Sequence, residues 1–183
     1  MKVSDSTNSL INSTSSPFNL VGSINVIQPN ATTNWAAGST NTISWTSTAV
    51  STVQPYYSLD SGGNWTSIGG NVPAINGSVS WPIDTAIHVS NNAVIKIADI
   101  SNPSVVYGLS NNTFNVIASF DITHPESGDP VIAESPYNIT WNKTGTGVGN
   151  VLLEYTTDDG GNWSYVAPSG NNTVPNTGTY FWT

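Results

Sequence analysis

The sequence predicts an all-β fold, and three observations carry that prediction. Apolar residues alternate with Ser, Thr and Asn in short runs such as Ile43/Trp45, Val53/Pro55/Tyr57 and Ile95/Ile97, the two-residue period of strands with one buried face. No stretch carries a convincing helical period. The chain also repeats itself: Phe18-Asn19-Leu20-Val21-Gly22-Ser23 aligns with Phe114-Asn115-Val116-Ile117-Ala118-Ser119 at an offset of 96. Ile43-Ser44-Trp45 meets Ile139-Thr140-Trp141 at the same offset, Val53 and Tyr57 meet Val151 and Tyr155 at 98, and Gly77 and Trp81 meet Gly178 and Trp182 at 101. Small loop insertions account for the drift. Short strands, β-branched and aromatic residues and a unit just under 100 residues favour tandem two-sheet, immunoglobulin-like β-sandwiches.

Taken in order, residues 1–21 read as the last-strand segment of a preceding or neighbouring sandwich. Lys2-Val3-Ser4-Asp5 aligns with Lys96-Ile97-Ala98-Asp99, and Asn8 with Asn102. Residues 22–117 form a complete sandwich. Residues 118–183 form an incomplete one, because Thr183 corresponds to Pro82 and the counterparts of residues 93–99 and 104–116 do not follow it. Such a unit would expose unpaired strand edges and its core. Two explanations differ in kind. The chain is a window of a longer tandem array whose next segment closes the last unit, or residues 1–21 of one copy close the second unit of another, head to tail. A loosely ordered Ser/Thr-rich tail is the plainer reading of residues 4–16.

The recurring Trp45, Trp81, Trp141 and Trp182 are expected in the cores. Trp35 aligns with Val131 and is expected there too, over a role in stacking on sugars.

Composition excludes several functions. The chain has 183 residues, three Lys (Lys2, Lys96, Lys143), no Arg, eleven acids, no Cys and a net charge of −8. Three scattered lysines cannot neutralise a nucleic-acid backbone. Zero Cys removes disulfides, thiolate metal sites and Cys nucleophiles. Ser, Thr and Asn supply 70 of the 183 residues, a polar but uncharged coat. No transmembrane stretch is present, and Met1 is followed by polar residues rather than the apolar core of a signal peptide. Either an export signal has been removed or the chain is a fragment.

Ser58-Leu59-Asp60-Ser61-Gly62-Gly63-Asn64-Trp65 and Thr156-Thr157-Asp158-Asp159-Gly160-Gly161-Asn162-Trp163 share the pattern S/T-x-D-x-G-x-x-W. The pattern resembles the Asp-box of sialidase-type propellers. That resemblance implies a hairpin turn: Asp60 and Asp158 bond the turn backbone, Gly62 and Gly160 take positive φ, and Trp65 and Trp163 pack beneath. It implies no sialidase chemistry, because that site holds its substrate carboxylate with arginines. Calcium held by Asp158 and Asp159 is a weaker alternative, since no EF-hand spacing is present.

Ile24-Asn25-Val26-Ile27-Gln28-Pro29, Trp35-Ala36-Ala37-Gly38-Ser39 and Ile43-Ser44-Trp45 together resemble the start of the β-sandwich domain in the fungal Ser-Thr-rich GPI-anchored cell-wall family, with similar tandem units in prokaryotic surface proteins. In the second unit the W-x-x-G element is lost, with Val131 and Glu134 in its place. The resemblance implies an extracellular, wall-associated, glycosylated module with no catalytic residues. Nine Asn-x-Ser/Thr sequons, at Asn12, Asn30, Asn64, Asn76, Asn111, Asn138, Asn142, Asn162 and Asn171, are the glycan candidates, against about six expected from composition.

Catalysis lacks its parts. His88 and His124 fall in different units and make no Ser-His-Asp set, so they read as exposed loop histidines. Glu126, Asp129 and Glu134 could supply a glycosidase carboxylate pair, but they crowd one Pro-flanked loop found only in the second unit. Lys96 invites an isopeptide bond, yet a solvent-facing Lys is the plainer reading. No catalytic, cofactor or metal site is expected. The sequence reads as a structural module of an extracellular surface protein or filament, partnered by copies of itself or adjacent repeats. The alternative is a carbohydrate-binding adhesin using an exposed Trp35 or Tyr56.

Overall fold

The structure, a computed structural model, describes residues 1–167 and 172–183. The chain is all-β, arranged in several sheets in a manner consistent with a β-sandwich. It opens with β1 (Lys2–Ser4) and β2 (Asn12–Thr14). The central portion holds β3 (Ser23–Gln28), β4 (Asn34–Ala36), β5 (Thr40–Thr48), β6 (Thr52–Ser58), β7 (Thr66–Ser67) and β8 (Val72–Pro73). After a 3-10 turn at Ala74–Asn76 come β9 (Ser78–Pro82), β10 (Ser90–Asp99), β11 (Tyr107–Leu109) and β12 (Phe114–Ile117). The last portion holds β13 (Ser119–His124), β14 (Tyr137–Thr144), β15 (Asn150–Leu152), β16 (Glu154–Tyr155), β17 (Ser164–Tyr165), β18 (Thr173–Pro175) and β19 (Thr179–Trp182).

In residues 22–117 two sheets enclose one core. The first runs β3-β5-β9, and the second runs β4-β12-β10-β6-β7, with β11 also on β10 and β8 on β6. Alternation in β5 turns Ile43 and Trp45 inward while Thr42 and Thr46 face out, as a half-buried strand requires. β10 lies centrally between β12 and β6, and its run Ala93-Val94-Ile95 and Ile97-Ala98 is buried. Aromatic rings close the core in a chain of contacts. Phe114 meets Trp35 edge-on at 5.2 Å, Trp35 meets Trp81 at 6.0 Å, and Trp81 stacks on Tyr57 at 4.9 Å. Trp35 is thus a core residue, packed between neighbours that are themselves buried.

Residues 118–183 match part of this arrangement strand for strand. The order β13-β14-β19 parallels β3-β5-β9, and the registers agree: Tyr137 pairs with Trp182 as Asn41 pairs with Trp81. A register shift falls between Ile122 and His124 just as one falls between Val26 and Gln28. Facing it, β15 pairs with β18 and β16 with β17, repeating how β6 pairs with β8 and β7: Val151 lies opposite Val174 as Val53 lies opposite Val72. Among the described residues of 118–183 nothing corresponds to β10, β11 or β12. The core is correspondingly small, with Ile139, Trp141, Val166, Ala167 and Val174 buried, whereas fifteen residues are buried in the first cluster.

Residues 2–14 form a separate exposed hairpin. Lys2 pairs with Thr14, Val3 with Ser13 and Ser4 with Asn12, and all three pairs are exposed.

Candidate functional site

Three features of the fold could carry function: the two hairpin turns, the junction between residues 22–117 and 118–183, and the open edge of the latter.

The turns are near-copies. In the first, the Ser58 hydroxyl donates to Asp60 Oδ1 at 2.6 Å and accepts from Gly62 N at 2.8 Å; Asp60 accepts from Asn64 N at 2.8 Å and Asn64 Nδ2 at 2.6 Å. In the second, Thr156 donates to Asp158 at 2.7 Å and accepts from Gly160 N at 3.1 Å, and Asp158 accepts from Asn162 N at 2.8 Å and Asn162 Nδ2 at 2.6 Å. Gly62 and Gly160 have φ of 95° and 89°. Each Asp therefore spends its carboxylate on its own turn. Those donors, the Ser58 or Thr156 hydroxyl first, hold both Asp60 and Asp158 down to about 2 from the ordinary 3.8. A depressed folded value means that the stabilisation is complete above the unfolded value and lost as pH falls through the folded one. Both turns are thus expected to hold above about pH 4 and to loosen towards pH 2. Amide and carboxyl NMR shifts of Ser58–Trp65 should move together in that window, and Asp60→Asn should abolish the shared transition.

The indoles beneath the turns differ. Lys96 Nζ lies 4.4 Å from the Trp65 ring and 5.0 Å from the Tyr56 ring, a cation–π arrangement that half-buries Trp65. Lys96 is accounted for by this contact, and Tyr56 is partly covered by it. Among the described residues no cation caps Trp163, which is 59% exposed.

The junction was not legible in the sequence. Gly145 N donates to Thr85 O at 2.7 Å, Thr146 N to Ile87 O at 2.8 Å, Val89 N to Thr146 O at 2.9 Å, and Thr144 Oγ1 to Ala37 O at 2.8 Å. Backbone bonds thus tie the strand-end loop of one portion to that of the other, with His88 bridged to Thr146. Gly145 and Gly147, at φ of 80° and 95°, permit the approach. A Cβ at Gly147 would lie 2.7 Å from the His88 ring, and one at Gly145 would lie 2.9 Å from Val89. Gly-Thr-Gly at 145–147 is the signal that could have marked this contact.

The chain matches no family model, no curated protein and no solved structure. Any function must therefore be argued from the site alone.

The remaining candidates are accounted for locally. Asp129 accepts from Glu126 N at 2.8 Å, His124 at 3.0 Å and Tyr137 Oη at 3.0 Å. These bonds, Glu126 N foremost, bring it to about 2 and fasten the 124–137 loop. His88 and His124 are both exposed, His88 at the junction and His124 at the end of β13. Among the described residues no group of three His, Asp or Glu side chains converges as a metal site, and no helix is long and apolar enough to cross a membrane. Of the sequon asparagines, Asn12, Asn64, Asn76, Asn111, Asn138, Asn142 and Asn162 are exposed and Asn30 is half-buried. Asn171 lies outside the described residues. Asn64 and Asn162 have their glycan-accepting Nδ2 in the turn bond to Asp.

Finally, among the described residues one edge of β15 and β16 is unpaired. In the first portion β6 is paired on both sides, with β10 on one and β7 and β8 on the other, whereas among the described residues β15 pairs with β18 and β16 with β17 alone. Beside this edge lies a cavity of about 660 Å³ lined by Pro125, Val131, Ile132, Tyr155 and Trp182 among others. Tyr155 and Trp182 meet at 5.0 Å, as Tyr57 and Trp81 do, but Val131 stands where Trp35 packs edge-on to Trp81.

Proposed function

We propose that this chain is a non-enzymatic structural module of an extracellular surface protein or filament, built from tandem immunoglobulin-like sandwiches of the type found in the Ser-Thr-rich GPI-anchored cell-wall family. The observation that carries the reading is the junction: among the described residues five hydrogen bonds, the fifth from Thr146 Oγ1 to Ala86 O, fasten one unit's loop to the next, which suits a module that transmits force along an array. The surface agrees. A Ser/Thr/Asn coat with few charges, turns whose acids are consumed internally, and exposed sequon asparagines are what a glycosylated stalk would present. The test is NMR relaxation of the dilute chain. Residues 22–117 and 118–183 should tumble as one body; independent tumbling would overturn the reading.

The adhesin alternative no longer rests on Trp35 or Tyr56. It is favoured by Trp163, 59% exposed, a ring of the kind that stacks on sugars. Saccharide binding lost in Trp163→Ala would support it.

A further inference from the structure

We propose that Asn76 is a site of spontaneous covalent modification: its side-chain amide closes on the Gly77 nitrogen, loses ammonia and leaves an isoaspartyl link in the turn that seats Trp45. The inference goes beyond the structural reading above. Only its last step, protection by a glycan, rests on that reading.

The chemistry needs a free carboxamide and an unobstructed nitrogen on the next residue. Closure joins Gly77 N to Asn76 Cγ in a five-membered imide. Gly77 N gives up its proton, and Asn76 Nδ2 takes one and departs as ammonia. Water then opens the imide on either side. Opening at Cγ leaves Asp in an ordinary main chain; opening at the backbone carbonyl leaves isoaspartate, with Cβ now inside a longer main chain. No oxidant or cofactor enters, and either product adds a carboxylate to a chain already at −8.

Asn76 meets both needs. It is the one asparagine of the sequence followed by glycine, whose missing side chain leaves the nitrogen open to approach. Asn76 is exposed, and among the described residues its side chain makes no hydrogen bond. Asn64 and Asn162, by contrast, commit both N and Nδ2 to Asp60 and Asp158, and they precede the bulky Trp65 and Trp163. The turn around Asn76 is also lightly held. It is a single 3-10 turn, Ala74–Asn76, with no side-chain cap at Pro73. Its closing bond, Gly77 N to Ala74 O, is 3.2 Å long, and the same carbonyl accepts from Trp45 Nε1 at 3.1 Å. Freeing the Gly77 nitrogen for attack therefore costs one long, shared hydrogen bond.

This turn holds a core tryptophan. Trp45 is 2% exposed; it donates Nε1 to Ala74 O and its backbone N to Gly77 O at 2.8 Å. The two acceptors flank the Asn76–Gly77 link, so a longer main chain between them cannot keep both bonds in place. A buried indole N–H left without its acceptor is costly. The second unit has the same seat without the same chemistry. Trp141 N donates to Gly178 O at 3.0 Å and Trp141 Nε1 to Asn176 Oδ1 at 3.0 Å, but Thr177 precedes Gly178 and has no carboxamide to close. Of the two seats, only the one in residues 22–117 modifies itself. Asn76-Gly77-Ser78 is a sequon as well, so a glycan and departing ammonia claim the same Nδ2. A sugar there blocks closure and preserves the seat of Trp45.

The test is ageing of the full 183-residue chain, made without glycans, at mildly alkaline pH. Peptide mapping by mass spectrometry should find isoaspartate at position 76, formed at least about ten-fold faster than at any other described asparagine. In the aged fraction the Trp45 Nε1–H resonance should shift while that of Trp141 stays. Asn76→Gln, whose longer side chain closes its ring far more slowly, should age without either change. Freshly made Asn76→Asp, which carries the charge in an ordinary main chain, should keep the Trp45 resonance of the fresh chain. Ageing at Asn76 no faster than at Asn111 or Asn142, or isoaspartate at position 76 with Trp45 undisturbed, would overturn the proposal. A chain glycosylated at Asn76 should not age there, and equal ageing would overturn the protective step. None of these readouts depends on whether the two units tumble as one body, so failure of the structural reading is seen separately.

Discussion

Replacing Phe114 by Ala is expected to destabilise residues 22–117 by about 3–5 kcal/mol, the range for truncating a fully buried aromatic ring. Phe114 is 1% exposed and edge-on to Trp35, which packs on Trp81, which stacks on Tyr57. Removing it opens a cavity at the end of that chain of rings, and the stiff strands around it cannot collapse far to fill the space. Urea titration followed by Trp fluorescence should show the loss as a lowered midpoint with an unchanged slope. The same substitution at Phe18 in the dilute chain should change stability by no more than about 0.5 kcal/mol, because that side chain is already exposed. The contrast between two Phe in matching sequence contexts isolates burial as the cause.

Gly147→Val is expected to break the junction while leaving both cores intact. At a φ of 95° a β-branched residue is strained by about 1–3 kcal/mol, and its Cβ would fall 2.7 Å from the His88 ring. The loop can escape both penalties only by moving away from Thr85–Val89, which gives up the Gly145–Thr85 and Thr146–Ile87 bonds. Small-angle scattering should then change from one fixed arrangement of the two units to a broad set. The urea midpoint of residues 22–117 should stay where it was, since none of the lost bonds lies in its core.

Much of the fold was legible because strand alternation and the repeat point the same way. Ile43, Trp45, Ile139 and Trp141 sit in equivalent registers, as their shared offset of 96 implies. The seats of the tryptophans were legible too, although the sequence gives no hint that Trp65 and Trp163 differ in exposure; that depends on Lys96, which arrives from a distant strand. The junction escaped notice for a similar reason. Its bonds join backbone to backbone, and backbone groups leave almost no mark on residue identity beyond Gly145 and Gly147. The tie of Asp129 to His124 and Tyr137 was hidden as well, since nothing in a Pro-flanked loop announces which acid will be consumed by its own neighbours.

The account rests on the junction between residues 22–117 and 118–183. Hydrogen exchange of the dilute chain tests this most directly. The amides of Gly145, Thr146 and Val89, which donate across the junction, should be protected along with those of β10, and Gly147→Val should release the first three while leaving β10 protected. Exchange of Gly145, Thr146 and Val89 at the rate of exposed loops in the unaltered chain would contradict the account.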